Sequence, residues 1–303
     1  MQSSQLLEPR VRALPVRIQA LELRQPGVSS SRLRVGMTRL VGREDRDMTV
    51  SILAVDGQGQ MTAAIEGCRF RVMEERADYP TAAELASPDE RDERVLQREL
   101  RGSAEAFGLT VPEVSLANMA ALHQSSREER RKRELPVIEK VLRALLETRG
   151  ERAADISVSW LNSGKPVVAA PADAGLGVSV AHDDRALLCC AGPDPQGCDL
   201  APITSRSESD WLALLGPPGR ELLPVLIAGG DRLDRAGTRI WAAREALRKA
   251  TADTGLRIEV DRREGSAVLL RATTAAHSLH ILTFPVQLTR GPDRIVALVV
   301  LKP

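Results

Sequence analysis

The sequence predicts an α+β protein, and three features carry that expectation. Strand-like runs with a tight-turn signal open the chain. An Ala-, Glu- and Arg-rich stretch of helical periodicity follows, and two series of short strands separated by a helix around Trp241 complete it. Helix and then strands occur twice over, which is the pattern of two similar α+β halves.

In chain order, residues 14–23, 32–41 and 48–74 read as strands, and Asp56-Gly-Gln-Gly59 between Met48–Val55 and Met61–Ile65 is a hairpin signal. From Tyr79 the texture becomes helical. Asp89-Glu-Arg-Asp-Glu-Arg94 and Arg127-Glu-Glu-Arg-Arg-Lys-Arg133 read as solvated helix faces, with contact between Arg130–Arg133 and a bound phosphate as the alternative. Val137–Leu146 repeats apolar residues at helical spacing and stops near Gly150, a C-cap residue, so it reads as a core-packing helix. Strands are expected at 156–160, 167–170, 178–181 and 186–190, and again at 256–262, 267–273, 279–288 and 294–301.

Composition excludes several classes. The 303 residues suffice for two modest domains, and 42 basic against 41 acidic residues leave a formal charge of +1, so no global field favours nucleic acid or an anionic membrane. Five of the basic residues are lysines, which makes each lysine conspicuous. Cys68, Cys189, Cys190 and Cys198 form no C-x-x-C pair and read as buried reduced thiols. The N-terminus has no apolar signal core, and no run of eighteen apolar residues occurs, so the expectation is a soluble, cytoplasmic protein.

The chemistry concentrates in two places. In Arg239–Lys249, Trp241, Glu245 and Lys249 stand four residues apart and share one helix face, where a carboxylate and an ammonium can meet one phosphate. Upstream, Gly197-Cys-Asp-Leu200 puts Asp199 in a short apolar strand, a usual place for a metal-binding carboxylate. Taken alone, Glu245 and Lys249 read as an ordinary i,i+4 surface pair, and Asp199 is equally readable as a strand-end cap.

These two segments resemble the signature of the larger, pseudo-twofold class of 4′-phosphopantetheinyl transferases. That signature is G-[VIC]-D-[IL]-E followed, about four dozen residues on, by W-x-x-[KR]-E-x-x-x-K. Gly164-Lys-Pro166 is similar to the family's G-K-P element and Val178-Ser-Val-Ala-His182 to its S-H element, in the family's order. The resemblance implies Mg²⁺-dependent transfer of 4′-phosphopantetheine from coenzyme A to a serine of an acyl carrier protein. It implies Asp199 and Glu245 as metal ligands, Glu245 and Lys249 as catalytic residues, and Lys165 and His182 as contacts to coenzyme A. Two departures stand out: Ala201 occupies the place of the third carboxylate, and Ala181 precedes His182 where serine is common.

Leu14-Pro-Val-Arg-Ile18, the D-G-x-G turn and Ile65-Glu-Gly-Cys-Arg-Phe-Arg71 resemble the closing strands of a polyketide synthase dehydratase, a double hot-dog fold. No catalytic motif of that family occurs between Met1 and Glu74, so no dehydratase activity is expected. The resulting organisation is a partial hot-dog sheet over 1–75, a helical charged linker over 76–111 and a pseudo-twofold phosphopantetheinyl transferase domain over 112–303. Together these pieces read as the C-terminal end of a polyketide or fatty-acid-like synthase. A transferase fold that has lost activity through Ala201 and serves as a structural or carrier-docking module is the alternative. His123, His277 and His280 match no motif.

Overall fold

A computed structural model describes residues 11–23, 34–44, 46–55, 61–75, 87–119, 125–151, 156–169, 175–251, 256–273, 278–289 and 291–300. The D-G-x-G turn, His123 and His277 lie outside these residues. The architecture is mixed α+β, and every strand pairing is antiparallel. Two compact units divide the chain, Met1–Arg91 and Asp92–Pro303.

The first unit is built from β1 (Val11–Arg17), β2 (Ala20–Leu23), β3 (Arg34–Glu44), β4 (Asp47–Val55) and β5 (Met61–Glu75). The sheet runs β1-β5-β4-β3, with β2 also pairing β5. Its core is small: Met48, Val50, Cys68 and Phe70, with Ala13, Ile52 and Ile65 packed against them. Leu14, Val16, Ile18, Leu21, Leu23 and Met73 stay exposed. Across β4 and β5, Arg69 and Arg71 converge on Asp47, and their hydrogen bonds hold its carboxyl below the usual carboxylate range.

The second unit contains α1 from Asp92 onward (Pro88–Phe107), β6 (Glu113–Asn118), α2 (Arg127–Arg149), β7 (Ser157–Trp160), β8 (Pro166–Ala169), β9 (Leu176–His182) and β10 (Ala186–Pro193). It continues with β11 (Cys198–Pro202), α3 (Glu208–Leu215), α4 (Pro217–Ala228), α5 (Leu233–Thr251), β12 (Arg257–Glu264), β13 (Ala267–Thr273), β14 (Ser278–Val286) and β15 (Arg294–Val300). The expected linker helix is part of this unit, because Leu96, Leu100 and Phe107 of α1 are buried in its core.

The order strand, helical segment, four strands occurs twice, with one helix in the first half and three in the second, and the pairing of the opening strand repeats with it. One sheet is β6-β10-β9 with α2 against β6 and β10, and the other is β11-β15-β14-β13-β12 with α5 against β11 and β15. In each half the opening strand pairs with the last. Strand alternation then builds the layers. On β15, Val296, Leu298 and Val300 meet Leu188 and Cys190 of β10 between the sheets, while Ile295, Ala297 and Val299 face Ile240, Ala243 and Leu247 of α5. On β10, Leu187, Cys189 and Ala191 turn instead toward Ile138, Leu142 and Leu145 of α2.

Local signals set the helix ends. Ser126 caps α2 in a capping box with Glu129, and Gly150, at φ 71°, takes the left-handed conformation that ends it. No helix among the described residues is long and apolar enough to cross a membrane.

Candidate functional site

A cleft of about 1610 Å³ opens between the two halves of the second unit. One wall is α2, the β7–β8 turn and the end of β9; the other is β11 and the outward face of α5. Lys165, His182, Asp199, Glu245 and Lys249 all line it, so residues from four separate sequence motifs share one cleft.

β11 and α5 are held at close range by Gly197. A Cβ there would fall 2.0 Å from the Ala246 carbonyl oxygen, so only glycine lets the strand start against the helix. Cys198 and Leu200 point between the sheets, and the alternation turns Asp199 toward α5. There Lys249 Nζ donates to Asp199 Oδ1 at 2.9 Å and to the Cys198 carbonyl at 2.9 Å. Burial pushes the Asp199 carboxyl above its ordinary value. The Lys249 ammonium opposes that shift through its charge and its hydrogen bond, and the charge of Glu245 reinforces it. Glu245 therefore lies close enough to Asp199 to act on it electrostatically.

Glu245 pairs with Arg248, whose Nη2 and Nε donate to Oε2 at 2.8 and 3.2 Å. The i,i+4 surface pair that the sequence also permitted is not formed: Lys249 turns to the strand and Glu245 to its i+3 neighbour. Trp241 is half-buried, packing on the α5 core while also lining the cleft. Ala201, on the same strand face as Asp199, lines the cleft and packs its methyl group against that core.

Lys165 sits in the β7–β8 turn, which Gly164 closes at φ 91°. Its Nζ donates to the Lys249 carbonyl at 3.0 Å, a basic group on the last turn of α5 that ties the two walls together. His182 ends β9, exposed, with its Nε2 3.5 Å from Arg130 Nη1. Beside it Asp183 accepts the backbone N–H groups of Arg185 and Ala186 and pairs with the buried Arg294 at 2.5 Å.

The α2 wall differs from a solvated helix face. Arg130, Arg131 and Glu134 line the cleft, whereas Lys132 and Arg133 face solvent. Arg131 stacks over Trp160, its guanidinium carbon 5.5 Å from the ring centroid. Close to this wall burial pushes the Cys189 thiol well above its ordinary value, and the charges of Cys198 and Glu134 add to that. All four cysteines are free and buried.

Among the described residues no group of three or more His, Cys, Asp or Glu side chains is placed to share a metal ion. Asp199 and Glu245 are the carboxylates through which β11 and α5 could hold a cation such as Mg²⁺, which is usually bound through one or two carboxylates plus waters and phosphate oxygens. No protein-family model matches this chain, and comparison with curated proteins finds no match.

Proposed function

We propose that the second unit transfers the 4′-phosphopantetheine group of coenzyme A to a serine hydroxyl of an acyl carrier protein, within a polyketide or fatty-acid-like synthase. The observation that carries this reading is the convergence of Lys165, His182, Asp199, Glu245 and Lys249 on one cleft. Asp199 and Glu245 would hold Mg²⁺, which when bound neutralises the charge growing on the leaving diphosphate oxygen.

The chain's own groups have separable tasks. Glu245 takes the proton of the attacking serine, directly or through one water. The serine oxygen then bonds to the phosphorus carrying the pantetheine arm, and the P–O bond to the leaving 3′,5′-ADP breaks. The Lys249 ammonium has three donors, of which two are committed to Asp199 and Cys198, so its third is available to a phosphate oxygen. Lys165 and His182 supply contacts to the nucleotide. The partial sheet of the first unit is read as the tail of a dehydratase domain in the same synthase, placing the enzyme in the cytoplasm. A carrier tethered in the same chain would be present at roughly millimolar effective concentration, so weak intrinsic affinity for it suffices.

A second reading, a degenerate transferase fold that only docks the carrier, draws on Ala201 in place of a third carboxylate and on the engagement of Asp199 by Lys249. Incubating the protein with an apo carrier protein, coenzyme A and Mg²⁺ and recording the carrier's mass separates the two. The enzyme reading expects a phosphopantetheine adduct that disappears on chelation. The docking reading expects an unmodified carrier and no metal-dependent coenzyme A binding.

A further inference from the structure

Glu134 is 8% exposed, lines the cleft, and makes no hydrogen bond or ion pair among the described residues. Its side chain is mostly covered, yet its carboxylate oxygens are not sealed off, so the charged end stays open to a ligand in the cleft. Its neighbours one turn back, Arg130 and Arg131, face the same cleft, and their Nε atoms are buried without hydrogen-bond partners. The Trp160 indole N–H close by is likewise buried and unpartnered, and the Arg131 guanidinium lies over its ring.

These groups define a ligand by complementarity. Cations without carboxylate partners accept phosphate, and the stacked guanidinium and indole offer a flat wall to a planar heterocycle. A carboxylate in their midst repels phosphate, so its ligand partner is an N–H group. Phosphates, a planar ring and an N–H donor occur together in a nucleotide whose base bears an exocyclic amine. We propose that Glu134 is a specificity residue of the cleft that accepts a hydrogen bond from the exocyclic amine of a bound purine nucleotide, the adenine 6-amino group. The assignment rests on the coenzyme A reading and adds to it a residue that selects the base.

Binding of adenosine 3′,5′-bisphosphate and of inosine 3′,5′-bisphosphate, followed by calorimetric titration, tests it. Inosine replaces the amine by a carbonyl, which faces Glu134 as a second acceptor. The wild type is expected to prefer the adenosine ligand by about 10- to 100-fold, the range for a hydrogen bond to a charged group. In Glu134→Met that preference is expected to collapse to near unity, by weaker binding of the adenosine ligand alone. The thermal midpoint of the variant is expected to hold, because the substitution breaks no hydrogen bond or ion pair of the described residues.

A variant that retains the preference, or weakens both ligands equally, overturns the assignment, as does a lowered midpoint with the preference intact. Equal binding of both ligands to the wild type removes Glu134 from recognition while leaving a nucleotide site. Failure of either ligand to bind the wild type ends the coenzyme A reading and this assignment with it.

Discussion

Lys249→Met isolates the electrostatic contact at the centre of the cleft, because it keeps the aliphatic stem and removes only the ammonium. In the wild type that ammonium holds Asp199 Oδ1 and the Cys198 carbonyl, each at 2.9 Å. Losing one partner of a buried pair costs about 3–5 kcal/mol, and an exposed pair is worth about 0–1 kcal/mol. With side chains 14% and 23% exposed, Asp199 and Lys249 fall between these limits, so a loss of about 2 kcal/mol at neutral pH is expected.

The pH dependence distinguishes this cause from lost packing. The folded Asp199 carboxyl already titrates above its ordinary value, so the native state binds more protons than the unfolded state in the window just above that value. The penalty on the ionised form is absent at low pH and grows as pH rises through the folded pKa. Without Lys249 the two contributions that oppose burial vanish and the window extends upward. Urea unfolding, read by tryptophan fluorescence, reports on the second unit alone, because Trp160, Trp211 and Trp241 all lie there. The loss is expected to be largest near pH 8 and to shrink by about half or more near pH 4, where protonation of the carboxyl relieves the unpaired charge. The Asp199→Asn/Lys249→Met double variant should recover part of the stability. A loss independent of pH, or strict additivity of the two substitutions, would refute the argument.

Gly197→Ala is expected to part β11 from α5, since the new methyl meets a backbone carbonyl that cannot step aside. A stability loss of about 1–3 kcal/mol should accompany a slower transfer rate, measured by urea unfolding and by carrier modification. Arg239, fully buried, donates to Asp231, the Thr283 carbonyl and hydroxyl and the Ser266 carbonyl. Arg239→Met strands Asp231 with only Arg263, and a loss of about 3 kcal/mol is expected in the same unfolding assay, with the cleft residues themselves untouched.

The strands of the second unit were legible because alternation and apolar runs are local. β6 was not: Glu113–Asn118 follows a helical stretch, and it is a strand through pairing with β10, some seventy residues on. α4 was hidden by Pro217, Pro218, Gly219 and Pro224, helix-breaking residues tolerated here because two of the prolines occupy the first turn. In the cleft, Asp199, Glu245, Lys249, Lys165 and His182 stood out through motif spacing. Glu134 and Arg248 did not, since a Glu or Arg in a charged helix reads as solvated until the opposing wall is known.

Glu245→Gln bears most directly on the transferase reading, because it removes one of two carboxylates and the serine's proton acceptor while keeping the side chain's shape. The decisive quantity is the initial rate of holo-carrier formation by wild type and Glu245→Gln across a Mg²⁺ titration. The account expects a saturable, Mg²⁺-dependent wild-type rate and a variant slower by on the order of 10²-fold or more at every Mg²⁺ concentration. Equal rates in the two proteins, or no Mg²⁺ dependence in the wild type, would contradict it.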